Sequence, residues 1–152
     1  MRRIVLLLVI LTMSVIAVTG IALTVFLAIY PDTDPPPNLT LKTTPDSIAR
    51  GAYLANHVSV CVDCHSHRNW AKFSGPVKPG TEGQGGEKFG AGGGSIGVVY
   101  SPNITSEHLG HWTDGEIARA ITSGISRNGT ALSPVMPYSG YNHLAEEDLY
   151  AI

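Results

Sequence analysis

The chain is poor in cysteine and in positive charge, and each shortage excludes a class of protein. Only two cysteines occur in 152 residues, and they stand three positions apart. A disulfide between them would close too short a loop to remove much chain entropy. Beyond Arg2 and Arg3 there are eight Lys and Arg against twelve Asp and Glu, which argues against nucleic acid as a partner. The segment between Phe73 and Asn103 is rich in glycine but lacks a Gly-Lys-Ser or Gly-Lys-Thr ending, which disfavours a phosphate-binding loop.

The two cysteines stand in the run Cys61-Val62-Asp63-Cys64-His65. A C-x-x-C-H run is the attachment signature of a c-type haem. Each thiol can add to one vinyl group of the same porphyrin, and the imidazole of His65 is then placed to bind the iron. The sequence therefore predicts one covalently attached haem c, with Cys61, Cys64 and His65 as cofactor-binding residues.

Two other interpretations of this run are weaker. A thiol-disulfide redox site would begin a helix within alternating strands and helices, and no such alternation is visible. Zinc could take Cys61, Cys64, His65 and His67, but adjacent side chains rarely converge on one tetrahedral centre and no second ligand pair follows at finger spacing.

The sixth iron ligand is predicted to be Met136. Of the three methionines, Met1 is the initiator and Met13 lies in an apolar N-terminal stretch. Met136 is followed by Pro137, and a second proline lies two residues before it, which gives a stiff loop that can hold a sulfur against iron. A thioether ligand raises the reduction potential because it favours ferrous iron. The alternatives are a methionine packed in a turn and a second histidine ligand. The rival histidines are His57, His67, His108, His111 and His143.

An apolar run from Ile4 to Tyr30 predicts a membrane-spanning helix. It is long enough to cross a hydrocarbon core of roughly 30 Å. Residues 1–30 are therefore expected to form an N-terminal anchor. A signal sequence cleaved near Ala22 and a buried core helix are the other interpretations. Because Arg2 and Arg3 precede the run, the rest of the chain is expected on the outer side of the bacterial inner membrane, facing the periplasm.

A proline-rich linker is predicted over residues 31–45 and a single domain over 46–152. The first helix is expected to begin at Asp46 or Ser47, with Gly51 compensated by close approach of another helix. Thr113 to Glu116 predicts a capping box, and the helix it opens should end near Gly124. A last helix from about Ala145 would be only two turns long, which suggests a truncated C-terminal helix. The segment between Phe73 and Asn103, with glycine runs at 83–86 and 90–94, is expected to be a long loop along one haem edge.

The order of these motifs resembles class I cytochrome c domains, and most closely the membrane-anchored cytochromes found as subunits or partners of bacterial alcohol and gluconate dehydrogenases. The residues that carry the resemblance are Cys61 to His65, Gly75-Pro76, Ser101 to Thr105, Trp112-Thr113, Arg119 to Ile121, Gly124, Arg127 to Gly129 and Val135 to Tyr138. The resemblance implies an all-α class I cytochrome c fold around one haem, with His65 and Met136 as its metal ligands. It also implies that the carbonyl of Pro76 accepts the Nδ1–H of His65, and it makes Asn103, Trp112 and Arg127 weaker candidates for contacts with the haem.

The expected function is that of a membrane-anchored monohaem electron carrier rather than an enzyme. It would take single electrons from a dehydrogenase or quinol-oxidising complex and pass them to a terminal oxidase or another cytochrome. Two alternatives stay open. One is a peroxidase-like haem enzyme with a labile sixth ligand, and the other is an N-terminal fragment of a multihaem dehydrogenase subunit.

Overall fold

The computed structural model describes residues 2–30, 33–90 and 97–152, and most of its regular structure is helical. Two compact units are present, Met1–Asp34 and Pro35–Ile152. The elements in chain order are α1 (Arg2–Ile29), α2 (Pro45–Tyr53), a π-helical turn (Leu54–Val58), α3 (Cys61–Cys64), β1 (Lys88–Phe89), β2 (Val99–Tyr100), α4 (Ser106–Leu109), α5 (Asp114–Ser123), α6 (Tyr138–Tyr141) and α7 (Glu146–Ala151).

Helix α1 makes up almost all of the first unit. It has 28 residues, and its most apolar window has a mean hydropathy of 2.8. The Thr12, Ser14 and Thr24 hydroxyls donate to carbonyl oxygens one turn earlier, at 2.8–3.0 Å, so these polar groups are satisfied within the helix. By length and composition α1 could cross a membrane, and a signal sequence would meet the same criteria.

The N-cap of helix α2 lies two or three residues earlier than predicted. Thr44, not Asp46 or Ser47, is the N-cap: its hydroxyl accepts from the Ser47 N–H at 3.1 Å, and the Ser47 hydroxyl accepts from the Thr44 N–H at 2.9 Å. Pro45 takes the first helical position, where the missing N–H would have had no partner anyway. Ser47 completes this reciprocal cap in the place usually taken by Glu or Gln, which hid the signal in the sequence.

The close helix approach expected at Gly51 is confirmed. Gly51 on α2 is buried, and a Cβ atom there would lie 1.7 Å from the carbonyl oxygen of Ala151 on α7. Arg50 reinforces the contact through two hydrogen bonds of 2.8 Å to the Asp148 carboxylate. Helices α2 and α7 therefore join the beginning and the end of the second unit.

Helix α5 agrees with its sequence signals. The Thr113 hydroxyl accepts from the Glu116 N–H at 3.2 Å, and the Glu116 carboxylate accepts from the Thr113 N–H at 2.8 Å. The backbone hydrogen bond to Thr113 holds the pKa of Glu116 below its usual value, with a further contribution from Arg127. The helix ends at Gly124 in the left-handed conformation, as predicted, and it packs against α6.

A small sheet departs from the all-α prediction. Strands β1 and β2 pair antiparallel, with Lys88 opposite Tyr100 and Phe89 opposite Val99. Both strands lie in the segment predicted as one long loop, and two-residue strands are too short to show a period of two in sequence. Of the glycine run at 90–94, residues 91–94 lie outside the described residues.

The second unit starts earlier than the predicted domain. Its boundary falls at Asp34/Pro35, so most of the linker predicted at 31–45 belongs to it. The Leu41 N–H donates to the Asp114 carboxylate at 2.8 Å, and the Pro37 carbonyl lies against Gly115 at the start of α5. Contacts between segments so distant in sequence give no local signal, which is why composition alone marked residues 35–45 as linker.

The apolar core of the second unit is small. Among the described residues, the buried apolar side chains are Leu54, Ala118 and Ile125. Leu54 lies in the π-helical turn that leads to α3, and Ala118 lies on α5. Three buried apolar side chains in the part of the chain that the structure describes are few for a unit of this length.

Candidate haem-binding site

The two thiols lie on one short helix. Cys61 and Cys64 begin and end α3, and both are half-buried. Val60, directly before Cys61, is in the left-handed conformation at φ 48°, which is strained for a β-branched residue. Burial raises the pKa of both thiols, and Asp63 raises that of Cys64 further. Both cysteines are unpaired thiols, as covalent attachment to a porphyrin requires.

His65 caps α3 and has a fixed ring orientation. Its Nδ1 lies 2.8 Å from the carbonyl oxygen of Pro102. Because a carbonyl oxygen only accepts, Nδ1 must carry the proton, and Nε2 keeps the lone pair that a metal needs. The carbonyl predicted for this role, that of Pro76, instead accepts from the Asn69 N–H at 2.9 Å.

The path of the chain after His65 explains why the carbonyl of Pro102, and not that of Pro76, contacts the imidazole. The chain after His65 turns back at once, pairing Arg68 with Val77, so the Pro76 carbonyl is used to close that turn. Pro102 lies 37 residues from His65 in sequence, and its carbonyl is nevertheless within hydrogen-bond distance of the imidazole. Within the segment between them, the Gly85 N–H donates to the His65 carbonyl at 2.7 Å. The pair Ser101-Pro102 was part of the resemblance, but nothing in the sequence identified its carbonyl as the partner.

Met136 lies in a turn between its two flanking prolines. Its N–H donates to the Ser133 carbonyl at 3.0 Å, and its own carbonyl accepts from the Tyr138 N–H at 2.9 Å. The residue is half-buried just before α6. His65 and Met136 are positioned by separate elements, and their joint ligation of one iron stays a prediction.

Tyr141 links the Met136 segment to the thiol helix and was not found from sequence. Its hydroxyl donates to the carbonyl of Ser59 at 2.5 Å, and Ser59 is buried two residues before Cys61. Burial raises the pKa of the Tyr141 phenol to about 12, with smaller contributions from Cys61 and Cys64. Helix α6 is thereby held beside the turn that leads into α3.

A buried serine ties the loop after the motif to α3. Ser66 is fully buried, its hydroxyl donates to the Val62 carbonyl at 2.5 Å, and it accepts from the Gly83 N–H at 3.0 Å. Ser66 directly follows the attachment run, and a serine there carries no sequence signal for this role.

The weaker candidates have local partners. The Asn103 side chain accepts from the N–H and the hydroxyl of Thr105, at 2.8 and 2.7 Å. Arg127 pairs with Glu116 at 3.3 Å. The backbone N–H of Trp112 donates to the Leu109 carbonyl at 2.8 Å in the turn after α4. These contacts shape turns and leave any role toward a haem as a prediction.

The donor set fits a haem c better than a metal ion alone. Two free thiols on one short helix are followed by an imidazole whose Nε2 is left as the basic nitrogen. Within residues 2–30, 33–90 and 97–152, no group of three or more His, Cys, Asp or Glu is arranged to hold a metal ion.

The largely helical second unit and the Cys61 to His65 run on α3 are the features expected of a cytochrome c domain. Known proteins lead to the same class. The chain is 32% identical over 108 residues to the gluconate 2-dehydrogenase cytochrome c subunit of Pantoea cypripedii, covering 69% of this chain and 21% of that protein. It is 35% identical over 113 residues to the fructose dehydrogenase cytochrome subunit of Gluconobacter japonicus, covering 70% and 20%. It is 29% identical over 119 residues to the alcohol dehydrogenase (quinone) cytochrome c subunit of Komagataeibacter europaeus, covering 74% and 22%.

The chain is thus homologous to cytochrome c subunits of bacterial alcohol, gluconate and fructose dehydrogenases. It spans about a fifth of the length of these curated relatives. No protein-family model matches it.

Proposed function

We propose that the chain is a membrane-anchored c-type cytochrome that carries single electrons through one covalently bound haem c. The observation that carries the proposal is the arrangement at α3: two thiols, then an imidazole whose Nδ1 is bound to the Pro102 carbonyl. When bound, the haem supplies a one-electron iron couple. The homology to cytochrome c subunits supports the same role.

The residues of the chain have separate tasks in this proposal. Cys61 and Cys64 hold the porphyrin through thioether bonds, and His65 presents Nε2 to the iron. The Pro102 carbonyl keeps the proton on Nδ1, which fixes the tautomer and raises the basicity of the ligand. Met136 is the proposed sixth ligand, and a firmly bound thioether would leave no site for a substrate at the iron. The protein is then an electron carrier and not itself an enzyme.

The proposed location is the bacterial inner membrane, with the second unit on the periplasmic side. Support comes from α1, which is long and apolar enough to span a bilayer, and from Arg2 and Arg3 at its start. The proposed electron donor is a dehydrogenase or a quinol-oxidising complex, and the acceptor is a terminal oxidase or another cytochrome. A dehydrogenase donor is favoured because the named relatives are dehydrogenase subunits.

Covalent attachment is the first test. The full chain should be expressed with a competent cytochrome c maturation system and run on a denaturing gel stained for haem. Haem should stay with the polypeptide, and the intact mass should increase by one haem. The double variant Cys61→Ala/Cys64→Ala should lose the stain entirely, whereas a His67→Ala control should keep it. A parent chain that shows no haem after denaturation would contradict the proposal.

A further inference from the structure

The loop after the attachment run holds a phenylalanine completely in solvent. This aromatic loop comprises residues 68–77 and contains Trp70 and Phe73. Phe73 is 100% exposed and Trp70 is 67% exposed, and every residue from Ala71 to Ser74 is exposed. Single exposed apolar residues are common on proteins, so the question is whether the loop is built to present Phe73.

Arg68 makes the aromatic loop rigid. Its Nη2 donates to the Ser74 carbonyl at 2.7 Å, and its Nε donates to the Gly75 carbonyl. The guanidinium also lies over the Trp70 ring, 5.0 Å from the ring centre. The base of the loop is closed by the pairing of Arg68 with Val77. One side chain thus crosses the inside of the loop and holds both arms in place.

Trp70 is fixed from two sides. Its Nε1–H donates to the Glu87 carboxylate at 2.7 Å. Its ring covers Gly75, which has a positive φ of 54° and where a Cβ atom would lie 2.4 Å from the ring. Only glycine fits there, so the loop depends on this residue both for its turn and for its packing. The exposure of Phe73 is therefore preorganised and does not come from a frayed segment.

The loop also belongs to the basic part of an acidic unit. Residues 64–81 contain three Lys or Arg and no Asp or Glu, whereas the rest of residues 35–152 contains five Lys or Arg and ten Asp or Glu. Arg68 is paired with Asp63 at 3.6 Å, so Lys72 at the tip is the exposed cation next to Phe73. An aromatic ring beside a lysine at the tip of a rigid loop suits the boundary between acyl chains and anionic headgroups.

We propose that the aromatic loop inserts Phe73 into the headgroup region of an anionic phospholipid bilayer, with Lys72 against the lipid phosphates. The proposal rests on the proposed membrane anchoring by α1. Four exposed residues at a tip are far too few for a protein interface of roughly 1,000 Å² or more, but they suffice for a shallow lipid contact. Only five residues separate Ile29 from Pro35, so an anchored α1 would keep the second unit at a high effective concentration near the bilayer.

The test uses the three phenylalanines as probes within one protein. The full haem-loaded chain is labelled with 4-fluorophenylalanine, kept in the ferrous state, and placed in lipid nanodiscs containing a spin-labelled lipid. The ¹⁹F resonances of Phe26, Phe73 and Phe89 are assigned by single Phe→Leu variants. In discs with phosphatidylglycerol, the Phe73 signal should broaden while that of Phe89 in β1 stays sharp. In purely zwitterionic discs the Phe73 broadening should weaken.

Two variants separate charge at the tip from charge elsewhere. Lys72→Gln should reduce the lipid contact of Phe73 roughly fivefold, the factor expected for one lysine at an anionic surface. Lys88→Gln, an exposed lysine on β1, should leave the contact unchanged. Equal effects of the two substitutions on the Phe73 broadening would show that the lipid contact does not depend on the charge of Lys72 at the tip.

The Phe26 signal distinguishes the two ways of failing. Phe26 lies in α1. A Phe26 resonance that is not broadened by the spin-labelled lipid would show that the proposed anchoring is wrong. If Phe26 broadens and Phe73 stays sharp in every disc, the anchoring stands and the lipid proposal is overturned.

Discussion

At the scale of single residues, the site depends on groups that lie far apart in sequence. His65 is oriented by Pro102, and the turn before Cys61 is held by Tyr141, 82 residues from Ser59. The attachment run itself is local and was found directly from the sequence. The residues that contact this run could not be predicted. Every residue has a backbone carbonyl, so nothing in the sequence distinguishes that of Pro102, and Tyr141 is one of six tyrosines.

The ligand role of Met136 predicts a spectroscopic change on substitution. Met136→Ala should remove the far-red band of methionine-bound ferric iron. It should also lower the reduction potential by a tenth of a volt or more, within the roughly 0.8 V range that axial ligands control. Optical titration of the haem-loaded protein measures both. An unchanged spectrum would show that another residue is the sixth ligand.

The half-buried phenol of Tyr141 predicts a loss of stability in alkali. The folded state raises its pKa from 10.0 to about 12, so its contribution is complete below pH 10.0 and is lost as the pH rises from there to about 12. Tyr141→Phe should lower the free energy of unfolding by about 1 kcal/mol at neutral pH and flatten this alkaline slope. Urea unfolding on both sides of pH 10.0 tests this, with the exposed Tyr53→Phe as control. A Tyr141→Phe variant that keeps the full slope would assign it to another group.

At the scale of elements, helices α1, α2, α5 and α7 were predictable from local patterns, whereas the four-residue helices α3, α4 and α6 and most contact partners were not. Thr113 with Glu116 and the Gly124 C-cap are local patterns, and they gave the bounds of α5. The two strands were missed because each has only two residues. The start of α2 was misplaced because Ser47, instead of the usual Glu, accepts the hydrogen bond from the N-cap backbone. The place of residues 35–41 on α5 depends on Asp114, whose role is visible only in the folded chain.

The contact between α2 and α7 predicts a loss of stability in acid. The hydrogen bonds from Arg50 lower the pKa of Asp148 below 3.8, so the contribution is present above that pH and is lost as the pH falls through the lowered pKa. Asp148→Asn should flatten the acid slope of stability and make it less sensitive to salt. Thermal unfolding at a series of acidic pH values measures this, and Glu107→Gln on α4 serves as the control. Equal slopes for parent and Asp148→Asn would remove this ion pair from the acid response.

At the scale of the whole molecule, one chain carries an apolar helix and a unit that is proposed to bind haem. The full chain, expressed in a bacterium with a maturation system, is expected to stay in the membrane fraction after an alkaline carbonate wash. Its intact mass should include residues 1–30. A carbonate-soluble product that begins after Ala22 would instead show that α1 is a removed signal sequence.

The attachment of residues 35–41 to α5 has a mechanical consequence. Tension transmitted along the chain from α1 reaches the Pro37–Gly115 contact and the Leu41–Asp114 hydrogen bond before it reaches α2. The load is therefore taken up by α5 before it can reach α2 or the short helix with the two thiols. If α1 is anchored in a bilayer, drag on the anchor acts on α5 before it acts on Cys61, Cys64 and His65.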